Sequence, residues 1–195
     1  MNNSQGTGRP VWTHTKAPVF ILGNAHCGKS ELAIQCLRPD EPALVIGTAP
    51  PTEPAFQARI AELQCMRPPT WDSVYAGTDL VAAVIHAATD FRQVLIDSVN
   101  QWLATLLLSC GEEIDGSEQG RSNLLTSRID ELVKVLAQYK QTKFVLVSAE
   151  IGGGPAPSRM AERLFRQHLG LANQRLAQAA ASVLLVHAGI PTILK

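Results

Sequence analysis

The sequence predicts an α/β fold: a mostly parallel sheet with helices on both faces. Three observations carry this. Short apolar runs rich in Val, Ile and Leu alternate with segments of helical composition from one end of the chain to the other, the pattern of strands buried on both faces. Hydrophobic residues make up 46% of the chain and charged residues 17%, a balance that suits a buried sheet and excludes a disordered protein. A glycine-rich loop stands directly after the first apolar run and before a helical segment. A length of 195 residues sets one domain as the default and suffices to bury a core. Residues 1–17, polar and rich in Gly and Thr, read as a flexible leader, and 18–195 as a single domain without internal repeats.

Each element follows from local pattern. Pro18 to Leu22 is a buried strand, and Lys29 to Leu37 a helix that stops before Pro39. Ala43 to Gly47 is the second strand. Pro50 and Pro51 make the next connection irregular, and Pro54 opens a helix from Ala55 to about Gln64. A short strand is expected at Ser73 to Tyr75, a helix at Asp79 to Ala88, and a strand at Val94 to Asp97 that ends in a carboxylate. Gln101 to Cys110 reads as an apolar helix, and Gly111 to Gly120, with its glycines and acidic residues, as a surface loop. Ser122 to Tyr139 is helical, Phe144 to Val147 a strand, and Gly152 to Pro157 irregular. Arg159 to Ala180 reads as a helix with a break at Gly170. Val183 to Val186 and Thr192 to Leu194 are the last strands.

Composition also excludes function classes. Lys plus Arg and Asp plus Glu both number 17, so no overall field attracts nucleic acid or an anionic membrane. No apolar stretch approaches the ~20 residues a membrane span requires, and the N-terminus lacks the apolar core of a signal peptide. Cys27, Cys36, Cys65 and Cys110 show neither a C-x-x-C pair nor metal-ligand spacing, which points to reduced thiols in a cytoplasmic protein.

Gly23-Asn24-Ala25-His26-Cys27-Gly28-Lys29-Ser30 has the spacing G-x-x-x-x-G-K-S of a phosphate-binding loop. Glycines let backbone N–H groups wrap closely around phosphate oxygens, and the helix that follows adds its positive end. In this motif Lys29 reaches the β- and γ-phosphates of GTP or ATP, and the Ser30 hydroxyl ligates Mg²⁺. Asp97, at the carboxyl end of a strand, stands where such proteins hold the acidic residue that orients Mg²⁺; the plainer reading is an N-cap. His26 could contact phosphate or act as a nucleophile, and Cys27 could carry a depressed pKa, although side chains at these loop positions usually point away from the phosphates. Glu150, at a strand end, is the candidate catalytic base, beside Lys29 and Asp97 as catalytic residues.

The loop resembles that of the bifunctional adenosylcobinamide kinase/adenosylcobinamide-phosphate guanylyltransferases of cobalamin assembly. Further features follow in the family's order from Val19 to Lys195: Thr48-Ala49, Arg59-Ile60, Arg67-Pro68 with Trp71, Asp97-Ser98, Trp102-Leu103, Glu150-Ile151-Gly152, Arg163 to Arg166, Asn173-Gln174, and Ala188-Gly189-Ile190-Pro191. The resemblance implies a RecA-like P-loop domain that forms a homotrimer. It implies a kinase for the aminopropanol hydroxyl of adenosylcobinamide, which then transfers GMP from GTP through a guanylyl-histidine.

The chain departs from that pattern at sites of consequence. The guanylyl-carrying histidine of the family's R-I-x-x-H-x-x-x-R-P falls on Leu63, and a leucine has no lone pair with which to attack a phosphorus. Ala149, Tyr75, Gln167 and the run Gly154-Pro155-Ala156-Pro157 replace further residues of the family's pattern. His187, at a strand end, is the best geometric substitute for the missing histidine, with a capped or partly buried role as the plainer reading; His86, His168 and His14 are expected elsewhere. Two readings follow. One is a triphosphate-dependent adenosylcobinamide kinase with guanylyl transfer in doubt. The other is a divergent nucleotide-binding paralogue with a regulatory role or a different small-molecule acceptor.

Overall fold

The computed structural model describes residues 15–109 and 117–195. Thirteen elements follow in order: β1 (Val19–Gly23), α1 (Lys29–Gln35), β2 (Leu44–Gly47), α2 (Pro54–Cys65), β3 (Asp72–Tyr75), α3 (Leu80–Asp90), β4 (Gln93–Asp97), α4 (Val99–Ser109), α5 (Glu118–Gln138), β5 (Lys143–Val147), α6 (Met160–Ala179), β6 (Ser182–His187) and β7 (Ile190–Ile193). The strands form one sheet in the order β3-β2-β4-β5-β1-β6-β7. All neighbours pair in parallel except β6 and β7. The α/β fold read from the sequence is therefore the observed one.

The pleat explains how both faces are covered. Phe20, Val94, Ile96, Phe144 and Leu146 turn to one face, against Leu103 of α4, Leu132 of α5 and Leu169 of α6. Val19, Ile21, Leu95 and Val145 turn to the other, against Leu32 and Ala33 of α1, Leu63 of α2, and Trp71. Each large apolar side chain taken fully out of water contributes about 1.5–3 kcal/mol, so β1, β4 and β5 anchor the molecule. Two of the buried polar side chains in the core are paired as follows. Gln93 accepts from the Arg38 amide at 2.7 Å and donates to the Arg38 carbonyl at 3.1 Å. The Trp102 indole donates to the Thr78 carbonyl at 3.0 Å.

Two expectations change. The general alternation of strand and helix has the two exceptions that the element-by-element reading contained: α4 and α5 follow each other without a strand, and β6 and β7, the last strands, pair as an antiparallel hairpin. That hairpin turns through Ala188 (φ +49°) and Gly189 (φ +80°), the positive-φ pair that matches strand twist. The loop expected to reach Gly120 ends earlier, because Ser117 caps α5 by accepting from the Gly120 amide at 3.0 Å; its residues 111–116, and Cys110 of the helix before it, lie outside the described residues. Helix α6 runs unbroken through Gly170, held by the buried Leu169, Ala172 and Leu176 on its inner side. The expected leader lies outside the described residues at 1–14.

Candidate active site

The loop between β1 and α1 is held by its surroundings. A Cβ on Gly23 would stand 2.3 Å from the Val186 carbonyl oxygen and 2.6 Å from Cys27 Sγ, so only glycine fits there. Gly28, at φ +96°, starts α1 in a conformation that other residues avoid. The Gly23 carbonyl accepts from the Glu150 amide at 3.0 Å, and the Cys27 carbonyl accepts from the Gly189 amide at 3.0 Å. The loop is thus braced by the ends of β5 and of the β6–β7 hairpin. Cys27 is buried, so its thiol packs inward, whereas Asn24, Ala25 and His26 are exposed. His26 adopts φ +54°. Lys29 Nζ lies over the loop itself, donating to the Asn24 carbonyl at 2.5 Å and approaching Cys27 Sγ at 3.7 Å.

Asp97 is brought to this loop by the register of β4 in the sheet. Its carbonyl accepts from the Thr48 amide at 3.1 Å, and the Thr48 hydroxyl donates to the Ser98 carbonyl at 2.7 Å while accepting from the Ser98 amide at 2.9 Å. The ends of β2 and β4 are thereby tied together beneath the carboxylate. The Asp97 side chain is hydrogen-bonded to Ser30. Burial pushes its carboxyl above the ordinary range, opposed by the Ser30 bond and by the charges of Arg67, Lys29 and Arg59. The Ser30 hydroxyl and the Asp97 carboxylate are hard oxygen donors, the kind a magnesium ion takes when it shares its sphere with phosphate oxygens. Among the described residues no group of three or more His, Cys, Asp and Glu side chains forms a metal cluster.

Ser30 and Asp97 line a cavity of about 480 Å³. Its polar wall includes His26, Arg59, Arg67 and Asn100, and its apolar wall Val45, Phe56, Ile60 and Leu63. Arg59 of α2 is paired with Glu31 of α1 and, at 2.8 Å, with Glu62. Burial raises the Glu31 carboxyl, but the bond and charge of Arg59, with its own backbone amide and Lys29, outweigh this and hold it low. Arg67 donates to Ser73 Oγ at 3.1 Å, and its buried Nε has no partner. Burial pushes the Arg67 guanidinium below its ordinary range, with the charge of Asp97 opposing.

The residues singled out in the sequence thus separate into groups. Ser30 and Asp97 meet, and Lys29 is charge-coupled to Asp97. Glu150 stands at the end of β5 beside the loop backbone, but its side chain is exposed and is not part of the cavity wall. His187 is also exposed, paired with Ile190 at the start of the hairpin and outside the cavity, which corrects its standing as the best-placed histidine. The reason is topological: β6 lies on the far side of β1 from β2 and β4, whose ends frame the cavity. Sequence reasoning missed Glu31 and the Thr48–Ser98 link. Only the position of Thr48 at a strand end could have signalled the latter.

A loop of this geometry is shared by many transferases, and comparison with known proteins narrows the field. Residues 19–194 match the family model described as cobinamide kinase / cobinamide phosphate guanyltransferase. The chain belongs to this family. It is 31% identical over 181 residues to the bifunctional adenosylcobalamin biosynthesis protein CobU of Escherichia coli, covering 91% of this chain and 99% of that protein. Identity to the bifunctional adenosylcobalamin biosynthesis protein CobU of Salmonella typhimurium is 29% over 180 residues, covering 91% of this chain and 99% of that protein. The bifunctional protein CobP of Pseudomonas aeruginosa is 30% identical over 179 residues, with 90% and 96% covered. This is a family of P-loop transferases, in keeping with the sheet and loop described above. Among the described residues no helix is long and apolar enough to cross a membrane.

Proposed function

We propose that this protein is a nucleoside-triphosphate-dependent kinase acting on a hydroxyl of adenosylcobinamide in cobalamin biosynthesis. The observation that carries the reading is the meeting of Ser30 with Asp97 at the end of the phosphate-binding loop, opening on a cavity with two guanidinium groups. The family membership supplies the corrinoid.

The loop Gly23 to Ser30 cradles the triphosphate of GTP or ATP with its backbone N–H groups. Lys29 leaves the Asn24 carbonyl and takes phosphate oxygens instead. Ser30 and Asp97 would hold Mg²⁺, which supplies charge neutralisation on the phosphate oxygens. Glu150, exposed at the end of β5, is the proposed base for the acceptor hydroxyl, whose oxygen attacks the γ-phosphorus in line as the bond to the β–γ bridging oxygen breaks and the nucleoside diphosphate leaves. Positioning and charge account for the catalysis, with little covalent work for the protein.

Leu63 favours one variation on this reading. It is buried, lines the cavity and offers no nucleophile, so guanylyl transfer cannot pass through it. A protein that retained triphosphate binding and lost both reactions, or that turned to another acceptor, is the second reading. Release of GDP or ADP from the purified protein, measured with and without adenosylcobinamide, separates them. Corrinoid-dependent release supports the kinase, and release indifferent to the corrinoid supports the alternative.

A further inference from the structure

We propose that Arg166 is a positioning residue for Glu150: it pins the chain just past the end of β5 and so fixes the direction in which the Glu150 carboxylate meets the acceptor hydroxyl. The inference rests on the reading of Glu150 as the base and adds a residue that acts through it.

The segment after Glu150 has little of its own to hold it. Residues 152–157 run Gly-Gly-Gly-Pro-Ala-Pro, in which the glycines widen the conformations open to the chain and the prolines remove amide donors. Among the described residues no backbone–backbone hydrogen bond reaches positions 151–158. Side chains of α6 hold its carbonyls instead. Arg166 Nη2 donates to the Gly152 carbonyl at 2.5 Å, and Nη1 donates to those of Gly154 at 3.0 Å and Pro155 at 2.8 Å. Arg38, Arg59, Arg128, Arg159 and Arg175 meet carboxylates, whereas Arg166 spends its planar fork on this one stretch of backbone. The guanidinium lies against Gly152, which stands at φ +133°; a Cβ there would be 3.7 Å from Arg166 Nε.

Glu150 is affected because α6 grips the chain on both sides of it. Asn173 Nδ2 donates to the Ala149 carbonyl at 3.0 Å, while its Oδ1 accepts from the Ser148 hydroxyl at 2.7 Å. Arg166 and Asn173 stand at i and i+7, two helical turns apart, and so share one face of α6. Between these grips the Glu150 amide donates at 3.0 Å to the carbonyl of Gly23, which opens the phosphate-binding loop. The backbone of the base is thereby set relative to the loop that carries the triphosphate. Loss of the Arg166 fork frees the downstream side alone, since the Asn173 and Gly23 bonds remain. The cradle keeps its shape while the direction of the carboxylate spreads.

The test is a cycle of Arg166→Met and Glu150→Gln in the full-length protein, with kcat read as adenosylcobinamide-dependent release of nucleoside diphosphate at saturating Mg²⁺, triphosphate and corrinoid. Glu150→Gln should lower kcat about 100-fold or more, the contribution of a general base. Arg166→Met should lower it about 10- to 100-fold, the scale set by a misplaced group. In the Glu150→Gln background it should add less than about twofold, because groups that act as a unit are not additive. Triphosphate affinity and the thermal midpoint of Arg166→Met should match the parent. If that variant folds poorly, Arg166→Lys, which keeps the charge and the stem but not the fork, takes its place in the cycle. An equal loss in both backgrounds, or no loss from the Arg166 change, overturns the assignment and leaves Glu150 as the base. An undiminished kcat in Glu150→Gln removes the base, and with it any residue acting through it. A parent protein without corrinoid-dependent release removes both.

Discussion

Removing the Lys29 ammonium isolates the phosphate-binding step from everything built on it. A unit charge about 4 Å from a phosphate oxygen contributes about 4 kcal/mol at an effective dielectric near 20. Against this stands what the lysine gives up on binding. Its Nζ donates to the Asn24 carbonyl at 2.5 Å, an exposed bond whose net value is about 1 kcal/mol. The difference is about 3 kcal/mol, so Lys29→Ala should bind the triphosphate about 150-fold more weakly. Isothermal titration with a non-hydrolysable triphosphate measures this directly. The thermal midpoint of the nucleotide-free variant should stay near that of the parent, because a surface substitution of this kind moves stability by less than about 0.5 kcal/mol. A variant that keeps its nucleotide affinity within about threefold would refute the reasoning, since that is far below the charge removed.

Three further outcomes follow from the geometry. The folded-state pKa of Asp97 lies above its ordinary 3.8, so the folded protein holds this proton more tightly than the unfolded chain. Stability falls as pH rises from 3.8 through the folded value; Asp97→Asn should flatten that fall, resist unfolding better without nucleotide at neutral pH, and lose Mg²⁺-dependent turnover. An unchanged pH profile of the thermal midpoint in the variant counts against the burial argument. Leu63 is the single buried residue of α2, so Leu63→Ala, a change that typically costs about 2–5 kcal/mol, should loosen this helix first. Hydrogen exchange should quicken over residues 54–65 with β1 still protected; equal quickening in both would contradict it. Burial pushes the Cys36 thiol up to about 11, whereas Cys65 is exposed, so iodoacetamide at mildly alkaline pH should alkylate Cys65 and spare Cys36. Labelling of native Cys36 would show that the core opens there.

The sheet and the loop were legible because both are written locally. Val19 to Leu22 reads as a buried strand, the glycines and Lys29-Ser30 fall at fixed offsets behind it, and Asp97 closes an apolar run. Once strand and helix are placed, the sheet edge brings Ser30 and Asp97 together. What was not legible depends on distance along the chain. Nothing local to Glu31 announces Arg59, and nothing near Arg67 announces Asp97, because those meetings depend on how α2 and the turn after it return over the sheet. Gly170 misled in the opposite sense: its intrinsic cost to a helix is about 1 kcal/mol, less than the burial of Leu169 and Leu176 on either side returns. His187 misled because a strand end was equated with the site, whereas sheet order decides which strand ends face it.

Mass spectrometry of adenosylcobinamide after incubation with the pure protein, Mg²⁺ and either GTP or ATP tests the central claim most directly. The account predicts a corrinoid heavier by one phosphoryl group. An unmodified corrinoid, in a preparation that binds the triphosphate, would contradict it.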